Sequence, residues 1–238
     1  MNKEKVLVLF SGGLDSMLTT CKIVEEGYHA VLVHYDNGSS KGSSNVYTAA
    51  NRLIERYGSN LVSFWGIGKT VGYFKVLRDV VWNMSTKELA QKYPELYPYQ
   101  FICLACRTAM YIYSILLCKK LNISIIAEGA RKSQLFAIEQ DSMLKKYQDL
   151  LNEYGIQLLT PVLELENDYE REIELLMRSI SPSTLEPQCY LGVPMKEKLT
   201  EREEQEVVNV YSNELEGLSK KLIKKSEKID LDPRGKLF

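Results

Sequence analysis

The stretch Phe10–Ser16 (FSGGLDS) decides the fold of this chain of 238 residues. It directly follows the apolar run Val6–Leu9, which predicts a buried strand. Gly12 and Gly13 lack a Cβ, so the backbone is free to take positive φ angles and to leave room for an anion. A helix is expected to begin at about Leu14, and the N–H groups at its start attract negative charge. The stretch therefore predicts a strand–turn–helix unit that binds a phosphate group.

The polar side chains of this turn support the same interpretation. Ser11 and Ser16 carry hydroxyl groups that can donate to phosphate oxygens, and Asp15 can orient the turn or hold a cation. No Lys follows the glycines, so the pattern is not the phosphate loop G-x-x-x-x-G-K-[ST]. The turn resembles instead the S-G-G-x-D-S signature of the PP-loop ATP pyrophosphatases, also called adenine nucleotide α-hydrolases.

This resemblance implies cleavage of ATP between its α and β phosphates, with AMP used to activate a carbonyl or carboxyl oxygen. It also implies a bound Mg²⁺ ion, for which Asp15 is the candidate partner. The adenine is expected near the end of the second predicted strand. The candidate ATP-binding residues are Phe10, Ser11, Gly12, Gly13, Leu14, Asp15, Ser16, His34, Tyr35, Asp36 and Gly129.

Apolar runs and helical periodicity alternate along the first part of the chain. The predicted strands and helices are, in order, strand 6–10, helix 15–27, strand 30–35, helix 44–57 and strand 61–66. This order favours an α/β fold, in which a parallel twisted sheet carries helices on both faces in a Rossmann-like arrangement. Aromatic residues and prolines then accumulate, which predicts an insertion over about 66–100 with one or two short helices.

The alternation resumes after the insertion. The predicted elements are helix 106–121, strand 124–127, helix 133–154, strand 157–160 and helix 169–180. Beyond Pro194 the composition becomes charged, and Thr200–Lys228 is expected to form a long helix or a helix pair. We therefore divide the chain into a PP-loop domain over 1–195 and a charged helical C-terminal extension over 196–238.

Three of the five cysteines are candidates for chemistry. Cys103 and Cys106 form a C-x-x-C placed before the predicted helix, where the helix dipole favours the thiolate. Cys189 follows in an irregular segment, whereas Cys21 and Cys118 are interpreted as buried apolar residues. No second C-x-x-C completes a four-ligand zinc site. Three thiolates suit an iron–sulfur cluster with one open iron, or a redox pair with a resolving partner.

The segment 103–134 is similar to the central part of the tRNA-thiolating PP-loop enzymes, the 2-thiouridine and 4-thiouridine synthetases. In those enzymes a C-x-x-C begins a helix, the next strand ends in a Gly-containing loop, and a lone third cysteine comes later. The resemblance implies that Cys103, Cys106 and Cys189 hold a [4Fe-4S] cluster. Its open iron would carry a sulfide that attacks the adenylated substrate.

The loop Glu128–Lys132 departs from those relatives, many of which carry Gly-His-Asn or Gly-Asn with acidic residues there. Its two cationic side chains, Arg131 and Lys132, are expected instead to neutralise the departing pyrophosphate. Together with Asp15 and the three cysteines, they complete the predicted catalytic set.

Composition limits the expected partners. The chain has 30 Lys and Arg against 31 Asp and Glu, and a formal net charge of −1 argues against a broadly cationic nucleic-acid binder. The cluster Lys220–Lys225 is interpreted as a solvated helix face. No run approaches the roughly 20 apolar residues that span a bilayer. The N-terminus enters a strand at once, so we expect a cytoplasmic protein with no membrane partner.

The sequence thus predicts an ATP-dependent sulfurtransferase that adenylates a carbonyl oxygen, releases pyrophosphate and replaces AMP with sulfur. The expected partners are a sulfur donor and a tRNA base as acceptor, with a small-molecule acceptor as the alternative; a homodimer is left open. An ammonia-using ligase, resembling 7-cyano-7-deazaguanine synthase or NAD synthetase, is the second hypothesis. The first of these usually carries a four-cysteine zinc cluster, which this chain lacks. A third hypothesis, a nucleotide sensor without catalysis, is opposed by the complete Ser11–Ser16 motif.

Overall fold

A computed structural model describes residues 3–42, 44–183, 185–191, 199–229 and 231. Its central sheet contains five strands: β1 (Lys5–Leu9), β2 (His29–Asp36), β4 (Val62–Lys69), β5 (Ile125–Glu128) and β6 (Gln157–Leu159). They are all parallel and lie in the order β4-β2-β1-β5-β6. A separate antiparallel ribbon pairs β3 (Ser40–Lys41) with β7 (Gln188–Cys189).

The helices follow the strands along the chain and cover the sheet. They are α1 (Leu14–Glu25), α2 (Asn45–Tyr57), α3 (Val71–Trp82), α4 (Thr86–Lys92), α5 (Pro98–Leu121), α6 (Asp141–Asn152), α7 (Asp168–Met177), α8 (Glu201–Val210) and α9 (Glu216–Ser226). A π-helical turn over Tyr211–Leu215 joins α8 directly to α9. The segment Thr200–Lys228 therefore forms one nearly continuous helical run. This agrees with the predicted long helix or helix pair.

The central strand β1 separates two hydrophobic cores. Leu7 and Leu9 belong to the core that α5, α6 and α9 complete, whereas Val6 and Val8 belong to the core of α1 and α2. Because successive side chains of a strand point to opposite faces, burial on both faces requires an uninterrupted apolar run. The parallel sheet with helices on both faces confirms the predicted fold class.

The region predicted as an insertion contributes to the core. The strand β4 continues to Lys69, beyond the predicted end at residue 66. The helix α3 then packs on α5 with Phe74, Leu77 and Val81 buried. Residues 66–100 thus hold α3, α4 and the first residues of α5, where the sequence predicts one or two short helices. The helix α3 is a structural part of the domain.

The helix α5 begins at Pro98, well before the predicted start at Cys106. At its N-terminus the Tyr97 N–H donates to Gln100 Oε1 at 3.0 Å, and a proline fits the first turn because no N–H donor is needed there. The expectation that Cys103 and Cys106 precede this helix is therefore wrong, since both lie inside it. By length and composition α5 could cross a membrane, contrary to the sequence expectation, and 78% of its apolar window is buried inside the fold.

The chain after β5 also differs from the prediction of one helix over 133–154. Two short 3₁₀ turns, Lys132–Gln134 and Ala137–Glu139, come before α6. Leu135 ends the first turn in the left-handed region, with φ 58°. The proposed domain boundary at 195/196 lies outside the described residues. The described part of the C-terminal extension packs through Val207, Tyr211 and Ile223 into the core that contains α5.

Candidate functional site

The turn after β1, residues Phe10–Ser16, is closed by its own serine side chains. We call it the phosphate-binding turn, after the role that the sequence predicts for it. The Gly12 N–H donates to Ser16 Oγ at 3.1 Å, and the Gly13 N–H donates to Ser11 Oγ at 3.1 Å. Only Gly12 takes a positive φ, of 83°, whereas Gly13 is extended, so the expectation of left-handed geometry holds at one glycine only. The two N–H groups expected to face a phosphate are held by hydroxyl oxygens, which phosphate oxygens can replace.

A cavity of about 220 Å³ opens beside this turn, where β1, β2 and β5 end. Among the predicted ATP-binding residues, those that line it are Phe10, Ser11, Gly13, Asp15, Ser16, His34, Tyr35 and Gly129. Gly12, Leu14 and Asp36 lie outside this lining. The Asp36 carboxylate accepts a hydrogen bond from the Gly38 N–H at 2.8 Å. The position at carboxyl ends of parallel strands is where α/β sheets bind their ligands.

The Asp15 carboxylate is held by side chains from distant parts of the chain. Its Oδ2 accepts hydrogen bonds from Arg171 Nη1 at 2.6 Å and from Gln134 Nε2 at 2.9 Å. Arg131 Nε lies 3.5 Å from Oδ1. Both arginines are buried. A magnesium ion at Asp15 would have Oδ1 as its available oxygen, since that atom accepts no hydrogen bond within the described residues, although Arg131 lies beside it.

Gly129 allows the loop after β5 to approach the phosphate-binding turn. A Cβ atom at this position would lie 2.9 Å from the carbonyl carbon of Asp15 and 3.0 Å from the N atom of Ser16. These distances are shorter than real Cβ contacts, and the neighbouring atoms are backbone. Only glycine fits here without a shift of the backbone.

The two cations expected to act on pyrophosphate point in different directions. Arg131 is directed at Asp15, beside the phosphate-binding turn. Lys132 Nζ instead contacts Glu164 at 2.6 Å and Asp141 at 2.9 Å. Because these acids hold its ammonium group away from the cavity, the structure does not bring Lys132 to the site.

A fixed cation, Arg107, lies at the base of the cavity. It forms ion pairs with Glu128 and with Glu139, the latter at 2.8 Å. Burial lowers the pKa of Arg107, but the two carboxylates raise it more strongly, so the guanidinium stays charged. Burial also raises the pKa of Glu139 to about 7, against the opposing effect of Arg107. The cavity therefore combines a permanent positive charge with a carboxyl group that titrates near neutral pH.

His34 lines the same cavity and carries a buried acceptor. Its Nδ1 lies 3.0 Å from the Phe10 carbonyl oxygen, so Nδ1 carries the proton and donates. Burial lowers the pKa of His34, which favours the neutral ring. Its Nε2 is buried and has no hydrogen-bond partner within the described part of the chain. A neutral imidazole nitrogen of this kind suits the exocyclic amino group of adenine.

Two polar residues of the β2–β3 connection link the cysteines. Asn37 Nδ2 donates to Cys106 Sγ at 2.9 Å, and Asn37 Oδ1 accepts from Ser39 Oγ at 2.6 Å. Ser39 Oγ in turn lies 3.8 Å from Cys189 Sγ. The pairing of Cys189 with Ser40 between β7 and β3 holds this arrangement from the other side. The structure therefore brings Cys106 and Cys189 into one group, although they are far apart in sequence.

The protonation of this group differs from the sequence expectation. Burial raises the pKa of Cys103 to about 12, with further increases from Cys106 and Cys189. Burial likewise raises the pKa of Cys106 to about 11, against a lowering by the Asn37 hydrogen bond. Because burial raises both pKa values well above neutral pH, the two side chains are thiols at that pH rather than the expected thiolates.

The cysteine group does not take a metal-binding arrangement in this structure. No set of three His, Cys, Asp or Glu side chains is positioned to hold a metal ion within the ranges described above. Asn37 and Ser39 occupy the positions next to Cys106 and Cys189. The present side-chain positions therefore do not fit a [4Fe-4S] cluster, and it stays a prediction.

One face of α5 connects the cysteines with the cavity. Arg107 and Met110 line the cavity, and Cys103 and Cys106 precede them by about one helical turn. Arg107 follows Cys103 at i+4, so the two side chains share a helix face. The predicted helix start at Cys106 conceals this relationship, because Cys103 then lies outside the helix. The cavity residues Gln134 and Glu186, and Arg171 beside Asp15, stand in no local sequence pattern and come together only through the fold.

Comparison with known proteins gives a family match and two structural likenesses. The family model for the thiamine biosynthesis protein ThiI matches residues 1–138. No curated protein matches the sequence. A solved complex of a 4-thiouridine synthetase with RNA and bound ATP is similar with a TM-score of 0.59 and 12% identity, covering 93% of this chain and 53% of that chain. This chain thus spans about half the length of that protein.

NMN synthetase from Francisella tularensis is similar with a TM-score of 0.51 and 11% identity. The alignment covers 98% of this chain and 90% of the synthetase. At these identities both likenesses concern the fold alone.

Proposed function

This chain belongs to the ThiI family of PP-loop ATP pyrophosphatases, and we propose that it is an ATP-dependent sulfurtransferase that acts on a tRNA base. The observation that carries the proposal is the face of α5. It places Arg107 and Met110 at the cavity, with Cys103 and Cys106 one helical turn before them and Cys189 near Cys106. An activated substrate at the cavity would therefore lie close to a group of thiols.

ATP is proposed to bind with its phosphates at the turn Ser11–Ser16. Phosphate oxygens would replace the serine hydroxyls at the N–H groups of Gly12 and Gly13, at the start of α1. The adenine would lie against His34, whose Nε2 accepts from its amino group. Mg²⁺ would supply charge neutralisation at the phosphates, and Asp15 is the motif residue that could hold it.

The first chemical step is adenylation of the acceptor. A carbonyl oxygen of the acceptor attacks the α-phosphorus, the bond to the β-phosphate breaks, and pyrophosphate leaves with its electron pair. Arg131 lies beside the turn and is the candidate to stabilise the charge that develops on pyrophosphate. Arg107 contributes a second fixed positive charge at the base of the cavity.

Sulfur then replaces AMP through the cysteines. A persulfide donor first transfers its outer sulfur to the thiol of exposed Cys189 and leaves as a thiol. The resulting Cys189 persulfide attacks the activated carbon, and AMP leaves. The Cys106 thiol then attacks the Cys189 sulfur, releases the thiolated product and forms a disulfide, which an external thiol must reduce.

RNA is proposed as the acceptor because the structurally similar 4-thiouridine synthetase was solved in complex with RNA. We also propose the cytoplasm as the location, since all five cysteines are free and a reducing compartment keeps them so.

An ammonia-using ligase is the second candidate function. Two observations favour it: Cys103 and Cys106 are protonated by burial, and the likeness to NMN synthetase covers nearly all of that chain. In such an enzyme ammonia would displace AMP and the cysteines would be structural.

The two functions are separated by product analysis of anaerobically purified protein. The protein is incubated with Mg·ATP, bulk tRNA, a reducing thiol and either a small-molecule persulfide or ammonium, and nucleosides and pyrophosphate are measured. We expect a thiolated nucleoside with the persulfide, lost in Cys189→Ala and retained in Cys118→Ala, a buried cysteine of α5 outside the site. Pyrophosphate release that depends on ammonium and survives Cys189→Ala would support the ligase instead. Iron analysis tests the predicted cluster separately, because a [4Fe-4S] cluster requires about four irons per chain.

A further inference from the structure

A short segment of the chain, residues 185–191, lies across the phosphate-binding turn. We call it the strap. The Leu185 N–H donates to the Gly12 carbonyl at 3.3 Å, and the Tyr190 N–H donates to the Ser39 carbonyl at 3.0 Å. Between these two contacts the strap pairs with β3 through β7. It is therefore anchored at the phosphate-binding turn and at the cysteine group.

The strap places the Glu186 carboxylate in the position expected for a phosphate. Its Oε2 is only 2.6 Å from where a Cβ on Gly13 would lie, and it contacts the Ser11 hydroxyl. Although Glu186 is exposed as a residue, its carboxyl group lines the cavity. Burial by the surrounding protein raises the pKa of Glu186, although the hydrogen bond with Ser11 lowers it.

A bound triphosphate and this carboxylate would compete for the same groups. Both are anions that accept from the Ser11 hydroxyl and are attracted to the start of α1. Asp15 already contributes one negative charge beside Gly13, and like charges at such short distances repel strongly. Glu186 and the phosphates of ATP therefore exclude one another.

We infer that Glu186 is an internal competitor of ATP, so that nucleotide binding displaces the strap and with it Cys189. The inference rests on the ATP binding of the proposed function. It adds a coupling between the phosphate-binding turn and the cysteine group. Cys189 lies three residues after Glu186 and is held by contacts of the same strap. Loading of ATP would thus release the exposed thiol from Ser39 before the sulfur-transfer step. By linkage, a substitution that displaces the strap strengthens nucleotide binding by the factor by which it increases the displaced fraction of molecules.

Calorimetry with a non-hydrolysable ATP analogue and Mg²⁺ tests the competition. Glu186→Gln removes the charge at constant size, and Glu186→Ala also removes the contact with Ser11. We expect both variants to bind the analogue more tightly, by about tenfold if the strap is closed in nine of ten molecules. Glu172→Gln removes an exposed carboxylate from α7 and should bind as the unchanged protein does. Equal affinity in all four proteins, or weaker binding by the Glu186 variants, would overturn the inference.

Hydrogen exchange tests the displacement itself. The amides of Leu185 and Tyr190 should exchange faster when the analogue is bound, because their hydrogen bonds to Gly12 and Ser39 are broken. Slower exchange would mean that the strap closes over the nucleotide, with Glu186 as a ligand, and would contradict the inference. Neither measurement depends on sulfur transfer. Tighter binding by the Glu186 variants without any thiolated product would refute the proposed activity alone, whereas absence of nucleotide binding in every protein would refute both.

Discussion

Arg171 Nη1 lies 2.6 Å from Asp15 Oδ2 and joins α7 to the phosphate-binding turn across 156 positions of sequence. Arg171 is buried, and the Asp15 side chain is 15% exposed. A charge pair with so little solvent around it is costly to break, because the remaining partner keeps its charge in a poorly solvated place. The pair therefore serves to hold the turn in position as much as to stabilise the chain.

Replacement of Arg171 by Met should destabilise the protein by about 3 kcal/mol, because Asp15 loses its shortest charged contact. Denaturant unfolding measures this loss. Lys119→Met is the matched control, since its pair with Glu227 is exposed and such pairs contribute about 0–1 kcal/mol. Equal losses for the two variants would show that burial does not distinguish the pairs.

Gly129→Ala should distort the phosphate-binding turn, because the new methyl group meets the backbone of Asp15 and Ser16 at about 3 Å. We expect a loss of about 1–3 kcal/mol in the free energy of unfolding, together with weaker ATP binding. Calorimetry and denaturant unfolding measure the two effects. Gly217→Ala is the control, because no atom lies within 4 Å of its added Cβ and alanine favours a helix by about 0.5–1 kcal/mol. An unchanged ATP affinity in Gly129→Ala would contradict the close contact between Gly129 and the backbone of Asp15 and Ser16.

Arg131 and Lys132 are adjacent in sequence, yet their replacement should have different effects. Arg131→Ala is expected to lower pyrophosphate release by about 10²-fold, the effect typical of a lost group that stabilises developing charge. Lys132→Ala should leave the rate nearly unchanged, since its ammonium pairs with Asp141 and Glu164 outside the cavity. A pyrophosphate assay under saturating ATP compares the two. A larger loss in Lys132→Ala would restore the role that the sequence predicts for it.

The titration of Glu139 should make stability depend on pH. Burial raises its pKa in the folded protein to about 7 from an ordinary value near 4.5, so the folded state holds the proton more tightly than the unfolded state. Its contribution to stability is therefore complete below about pH 4.5 and is lost as the pH rises towards 7. Unfolding free energies between pH 4 and 8 should fall more steeply in the unchanged protein than in Glu139→Gln. Parallel curves would exclude this titration.

Much of the fold follows from short-range features of the sequence. The motif Phe10–Ser16 predicts its own turn because the glycines, the hydroxyls and the helix start all act within seven residues. The parallel sheet follows from strands that are apolar on both faces, since such strands require helices on either side. The start of α5 was also encoded locally, by Pro98 beside Tyr97 and Gln100, although the strongly apolar run from Cys106 conceals it.

The composition of the site was decided by the tertiary structure. Gln134, Arg171 and Glu186 come from three separate segments, and no period or motif marks them as neighbours of Asp15. Their positions depend on how loops and α7 pack around the ends of the strands, which is a long-range property. The protonation of Cys103 and Cys106 is likewise set by burial, which a spacing of four residues cannot specify. Sequence alone determined the turn at which we propose that a phosphate binds, because that geometry is local. The fold determined which charges surround this turn, because those charges meet only after the chain has packed.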